Sequence, residues 1–222
     1  MEKLPISIGI LSWKSGQTLV NTLTTYYNNE LFNYVNDVCI LFQEYSDQDK
    51  QIAEHFNLPY IAKENNIGIG KAFIELTNQS KTENVLILEH DWKLIEDKQI
   101  TINRLKSGIE MLNKGYSCVR YRHRKDPGHP HFSFTHIGNE LNYFVKAFPE
   151  HIGKDGEYFT STSRYGNWTN NPCLYKKDFY INTVNQFTGG GIDLEGNISK
   201  WWAQQTYKVA HGEGLFKHID EG

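Results

Sequence analysis

Four short apolar runs in the first ninety or so residues, each followed by a polar turn and most by a helical stretch, constrain this chain most. They are Ile6–Leu11, Val38–Phe42, Tyr60–Ala62 and Val85–Leu88. All four read as strands, and the continuously apolar Val38–Phe42 and Val85–Leu88 as buried ones, the second on both faces. Between them the period changes. From about Gln17 to Asn28, Leu19, Leu23 and Tyr26 lie on one helical stripe. Ser46 or Asp47 can cap a helix through about Phe56, and another runs from about Lys71 to Gln79. Strands alternating with helices predict parallel βαβ units and an α/β, doubly wound sheet. Right-handed crossovers bring the turns after each strand to one edge. Ser12–Gly16, Gln43–Asp47, Asn65–Lys71 and Glu89–Asp91 are therefore expected to converge there, where open α/β sheets collect their ligands.

The second half is less regular. A helix is expected from after Asp97 to about Lys114, then a strand at Cys118–Arg122. Residues 122–136 are polar, histidine-rich and turn-prone. Residues 139–151 read ambiguously as a short helix, and Tyr158–Leu174 as irregular or β. Helical spacing returns at Asp178–Asn185 and Ile192–Gln205, on either side of a flexible Gly189–Gly191 junction. A glycine-rich tail carries His211 and His218. With 39% hydrophobic and 22% charged residues in 222, and no repeat or long linker, a single packed domain is expected. Residues 1–97 would form one half and 98–222 the other.

A net charge of −3 argues against a nucleic-acid partner. Cys39, Cys118 and Cys173 form no CxxC pair, which disfavours structural zinc and suits reduced thiols in a cytoplasmic setting. The first residues lead into a strand with no targeting character. No apolar run approaches the roughly 18 residues of a transmembrane span.

Glu89-His90-Asp91 ends the fourth apolar run. In extended chain, carboxylates at i and i+2 point to one side, and their repulsion invites a divalent cation such as Mn²⁺ or Mg²⁺, hard ions that favour oxygen ligands. The other reading is a charged turn. Asn65–Lys71 matches neither the P-loop nor the dinucleotide fingerprint. It opens a helix with Lys71 nearby, so it is either an anion-friendly helix start or an ordinary cap. His123, His129, His131 and His136 fit a solvated substrate loop better than a zinc site. Arg120, Arg122 and Arg124 alternate and would meet phosphate, acceptor or solvent. Asp193 and Glu195 precede a helical stretch and serve either as general base or as caps. His211 and His218 are either imidazole ligands to the metal or surface residues. Trp168, Tyr165, Trp201 and Trp202 are either sugar-stacking or core aromatics.

In order, a first strand with a short polar turn, a second strand ending in an acid, an Asn-x-Gly loop opening a helix and an apolar strand running into acid-x-Asp resemble the GT-A fold glycosyltransferases. The likeness is closest to family-2-like inverting enzymes and covers about residues 5–97. Asn171–Lys177 and the acidic stretch 193–195 fit the acceptor half in order only. The small size is similar to that of virus-encoded glycosyltransferase domains, which would place it in host cytoplasm.

The resemblance implies a GT-A-like, mostly parallel sheet flanked by helices, with an irregular acceptor-binding C-terminal half. It implies a metal-dependent, inverting hexosyl- or deoxyhexosyltransferase. The donor would be a nucleotide-diphospho-sugar, UDP-linked in preference to GDP-linked, the acceptor a glycan or other hydroxyl, and the ion Mn²⁺ or Mg²⁺. Ser12 and Trp13 would cup the nucleotide, Glu44 would read base or ribose, and Asn66 and Lys71 would flank ribose and diphosphate. Asp91 would be the principal metal ligand. Glu89, where the family more often has Asp, would meet metal, ribose or water. Glu195 or Asp193 would be the base, and His218 or His211 the late histidine ligand. Two other functions fit in part. A sugar-phosphate nucleotidyltransferase usually has a glycine-rich phosphate loop after its first strand, and Ser12–Gly16 is poor in glycine. The second is a non-catalytic carbohydrate-binding module.

Overall fold

The computed structural model describes residues 2–123, 152–165, 168–189 and 194–219. His129, His131 and His136, the 139–151 stretch, the Tyr165 side chain and Asp193 lie outside the described residues.

The first half alternates as its periodicity predicts. Strand β1 (Leu4–Trp13) leads to α1 (Gly16–Asn28), a single turn α2 (Leu31–Tyr34), β2 (Val35–Gln43), α3 (Asp47–His55), β3 (Tyr60–Lys63), α4 (Ile69–Gln79) and β4 (Asn84–Glu89). The strands pair in parallel in the order β3-β2-β1-β4. Helix α3 starts with a capping box: Ser46 Oγ accepts from Asp49 N–H, and the Asp49 carboxylate accepts from Ser46 N–H. Gly9 lets α4 lie close on β1, since a Cβ there would sit 3.2 Å from Leu76 Cβ.

Beyond β4 the sheet continues without a break. After β5 (Trp92–Leu94) come α5 (Lys98–Asn113), β6 (Cys118–Arg122), β7 (Ile152–Asp155), β8 (Tyr158–Thr162), β9 (Cys173–Lys176), α6 (Lys177–Val184), α7 (Leu194–Trp202) and β10 (Lys208–His218). The sheet order is β3-β2-β1-β4-β9-β6-β10-β8-β7, with β5 also on β10. Strand β9 runs antiparallel between β4 and β6, so pairing is parallel in the first half and mixed in the second.

Side chains alternate between two cores, as period 2 demands. Ile6, Ile8, Ile10, Leu86 and Leu88 pack with α1 and α5. Leu11, Leu41, Val85 and Ile87 face α4, α6 and α7. The result is a three-layer helix–sheet–helix arrangement. Glu89, in phase with Val85 and Ile87, is thereby directed to the α4–α7 side.

The glycine-rich tail differs most from its sequence reading. That reading assigns it no element, yet residues 208–218 form an eleven-residue strand inside the sheet. Val209, Ala210, Leu215 and Phe216 are buried, but the glycines between them break the apolar pattern that signals a strand. Those glycines mark an irregularity between His211 and Phe216, where the ladder with β6 shifts register.

Candidate functional site

The parallel register brings the four predicted turns to one edge. Trp13 lies opposite Gln43, Gln43 opposite Lys63, and Leu11 opposite Glu89. Strand β4 stops at Glu89, and His90 and Asp91 make a turn into β5. The chain is therefore not extended across 89–91, and the turn rather than the pleat sets how the two acids meet.

Asp91 is held by the far end of the chain. His218 Nε2 lies 3.1 Å from Asp91 Oδ2, and Ile219 N–H donates to the Asp91 carbonyl at 2.8 Å. Strand β5 pairs with β10 so that Trp92 faces His218, with their rings edge-to-face at 5.0 Å. Burial opposes the charge of Asp91, yet the hydrogen bond to His218 and the proximity of His90 hold its carboxyl below the usual range. Its other oxygen, Oδ1, is buried without a hydrogen-bond partner. A carboxylate kept ionised with one lone oxygen is suited to a cation.

Among the described residues, no group of three or more His, Cys, Asp or Glu forms a closed metal cage. Asp91 and His218 make an open pair instead. Mg²⁺-like ions are commonly held by one or two carboxylates, with substrate phosphates and waters completing the shell. The donor set fits a divalent ion shared with a phosphorylated ligand.

Glu89 behaves differently from Asp91. Burial, then the charges of Asp91 and Glu195, push its carboxyl up to about 8. That influence brings Glu195, from a distant segment, into the electrostatic neighbourhood of Glu89. Glu195 sits in the first turn of α7 and accepts a hydrogen bond from the Asn170 N–H. At Gly70, at the start of α4, a Cβ would lie 3.2 Å from Leu194 Cδ1. The starts of α4 and α7 are thus in close contact.

The β1 and β2 ends carry the other candidates. Ser12 is fully buried and shares a 2.8 Å hydrogen bond with Ser15. Trp13 is 47% exposed, and the Lys14 ammonium lies 5.5 Å above its ring. Lys14 also ion-pairs with Glu44, which lowers the Glu44 carboxyl. Lys14 and Glu44 both adopt left-handed backbone, at φ 49° and 51°. Such conformations in non-glycine residues gather at ligand-binding edges. Asn66 Oδ1 accepts from Gly68 N–H at 2.8 Å and shapes the turn into α4. Lys71, in the first turn of α4, is exposed.

Not every sequence candidate joins this edge. His211 is buried further back in β10, 3.0 Å from Ser161 Oγ. Of the two late histidines, His218 is the one brought to Asp91. Trp168 and Trp202 are buried in an aromatic cluster with Tyr175 and Tyr180, so they are core rather than stacking platforms. Sequence reasoning places Lys14 and Gln43 on the converging turns and Asn171 in the acceptor half but gives none of them a role of its own. Buried Gln43 accepts from Ile67 N–H at 2.8 Å and fixes the 65–68 loop. A polar residue ending a buried strand was its only signal.

No family model and no curated protein sequence matches the chain. Solved structures do. S. aureus TarS residues 1–349 superpose with a TM-score of 0.64 at 13% identity, over 98% of this chain and 60% of that one. The Pyrobaculum calidifontis mannosyltransferase PcManGT, in complex with GDP-Man and Mn²⁺, gives 0.63 at 10% identity over 100% and 59%. Glucosyl-3-phosphoglycerate synthase from Mycobacterium tuberculosis, with Mn²⁺, UDP and glucosyl-3-phosphoglycerate, gives 0.52 at 11% identity over 98% and 72%. The chain has the GT-A fold. It spans about 60% of the length of the TarS fragment and of PcManGT. Among the described residues, no helix of this GT-A chain is long and apolar enough to cross a membrane.

Proposed function

We propose that this chain is a metal-dependent, inverting glycosyltransferase that moves a hexosyl or deoxyhexosyl group from a nucleotide-diphospho-sugar to a glycan or other hydroxyl acceptor. The observation that carries the reading is Asp91: an ionised carboxylate with a partnerless buried oxygen, held by His218 at the carboxyl edge of a GT-A sheet. The structural neighbours' complexes with UDP, or with GDP-Man and Mn²⁺, support the donor class and the ion.

Asp91 and His218 would hold Mn²⁺ or Mg²⁺, with Glu89 beside them. When bound, the ion supplies charge neutralisation for the departing diphosphate. Trp13 offers an exposed ring to the base, and Glu44 a carboxylate to base or ribose. Asn66 shapes the loop at which Lys71 enters, where a cation and a helix start favour phosphate. Glu195 takes the proton from the acceptor hydroxyl, and its bond from Asn170 N–H keeps the carboxylate oriented. Asp193, just before α7, is the second candidate for that proton. A single displacement at the anomeric carbon inverts configuration.

The test is binding and hydrolysis of UDP- and GDP-sugars with Mn²⁺, and again with EDTA. Nucleotide binding and sugar release that depend on the metal are expected. Release of pyrophosphate from a nucleoside triphosphate and a sugar phosphate would assign a nucleotidyltransferase instead. Glycan binding without nucleotide binding would assign a carbohydrate-binding module.

A further inference from the structure

We propose that Asn171 and Thr169, on the segment entering β9, bind hydroxyl groups of the transferred sugar. This rests on the glycosyltransferase reading and adds a subsite to it.

Two ladders and a side-chain contact locate the segment. In the β4–β9 ladder the last pair is Ile87 with Cys173. On the other side, the Tyr121 N–H donates to the Pro172 carbonyl at 2.8 Å. The chain therefore meets the sheet at residues 171–172, beside the end of β4 that carries Glu89. One residue earlier, Asn170 N–H donates to Glu195. Residues 169–171 thus bridge the distance between Glu89 and Glu195.

Two of their side-chain polar atoms are unmatched. Asn171 Nδ2 and Thr169 Oγ1 are buried and have no hydrogen-bond partner, and Thr169 is only 6% exposed. Native folds keep few such groups, and each calls for an explanation, a bound ligand among them. Asp91 Oδ1 is a third, two residues beyond Glu89. A ligand that brings a cation to Asp91 and hydroxyls to Asn171 and Thr169 satisfies all three. A carboxamide N–H₂ donates and a hydroxyl both donates and accepts, which is the neutral chemistry that reads sugar hydroxyls. The transferred sugar must lie between its diphosphate, at Asp91, and the acceptor hydroxyl, at Glu195. Residues 169–171 occupy that interval.

The experiment is isothermal titration calorimetry with Mn²⁺ on the wild type, Asn171→Ala and Thr169→Val. The probes are UDP, GDP, UDP-glucose, UDP-galactose, UDP-N-acetylglucosamine and GDP-mannose. The wild type is expected to bind one sugar-bearing probe more tightly than its free nucleotide. Each variant is expected to weaken that probe about five- to tenfold, the net worth of one hydrogen bond, and to bind the free nucleotide as the wild type does. Thr169→Val keeps the shape of the side chain and removes no internal hydrogen bond, so its ligand-free melting temperature is expected to be equal or higher. Equal weakening of nucleotide and nucleotide-sugar, a lower melting temperature for Thr169→Val, or no preference of the wild type for any sugar-bearing probe would overturn the proposal. Failure of the wild type to bind any nucleotide would instead overturn the glycosyltransferase reading itself.

Discussion

Asp91 and His218 stand 127 residues apart in sequence and meet at 3.1 Å. The contact ties the two halves of the sheet together: β10 lies between β6 and β8, pairs with β5, and delivers His218 to the turn that β4 opens. The carboxylate from the first half of the chain is therefore positioned by the last strand. Replacing Asp91 with Asn keeps the shape and one acceptor but removes the charge. Because metal-assisted charge neutralisation is worth several kcal/mol, sugar transfer is expected to fall at least about 100-fold. His218→Ala is expected to weaken Mn²⁺ binding about 10- to 100-fold, the usual range for groups that orient or assist a metal ligand. Manganese titration of both variants by calorimetry checks this; wild-type affinity in either one contradicts it.

Gly214 has φ +91°, and a Cβ there would collide with the Arg122 carbonyl. It sits where the β10–β6 ladder shifts register, upstream of Phe216 and His218. Gly214→Ala must distort this crossing, and left-handed strain alone costs about 1–3 kcal/mol. A lower melting temperature and weaker Mn²⁺ binding are expected together, although residue 214 carries no side chain to touch the ion. Intact metal affinity in a destabilised variant would show that the register of β10 does not set the site.

Much of this was legible from local pattern. The β2 and β4 runs are apolar without interruption because both faces are covered, β1 is broken only by the buried Ser7 and by Gly9, and the parallel rule then fixes the shared edge of Trp13, Gln43 and Glu89. What pattern cannot supply is long-range pairing. Nothing near His218 says that it faces Trp92, and His211, earlier in the same strand, ends beside Ser161. Glu89 and Asp91 were legible as neighbours but not as unequal ones. Their difference comes from His218 on Asp91 and, on Glu89, from burial together with the charges of Asp91 and Glu195; His218, Glu195 and the packing that buries Glu89 are distant in sequence. The partnerless groups at 169–171 were invisible because sequence does not report which hydrogen bonds are missing.

The raised carboxyl of Glu89, at about 8, has a consequence for pH. An acid whose folded value lies above its unfolded value holds a proton in the folded state after the unfolded chain has lost it. Between the ordinary carboxylate range and about 8, folding then takes up a proton, and this group's contribution to stability falls as pH rises. In metal-free protein, the melting temperature of Glu89→Gln relative to wild type is expected to increase from pH 5 to pH 8. Saturating Mn²⁺, by favouring the ionised form, is expected to shrink that difference. A pH-independent difference in the metal-free protein would show that burial and the charges of Asp91 and Glu195 do not raise the Glu89 carboxyl.

Glu195 offers the sharpest separation of chemistry from binding. Its carboxylate is held by the Asn170 N–H, and its helix packs through Leu194 on the glycine at the start of α4. Glu195→Gln preserves size and still offers a carbonyl oxygen to that N–H, so the loop and both helices should stay in place. The amide cannot accept the acceptor's proton. General-base contributions are commonly about 10²- to 10⁴-fold, so kcat is expected to fall by that range while donor KM changes little. Because a base is needed only in its ionised form, the rise of kcat with pH at acid pH should also disappear in the variant. A loss confined to KM, or an unchanged pH profile, would take the proton-accepting role from Glu195 and give it to the neighbouring Asp193, for which Asp193→Asn is the matching variant.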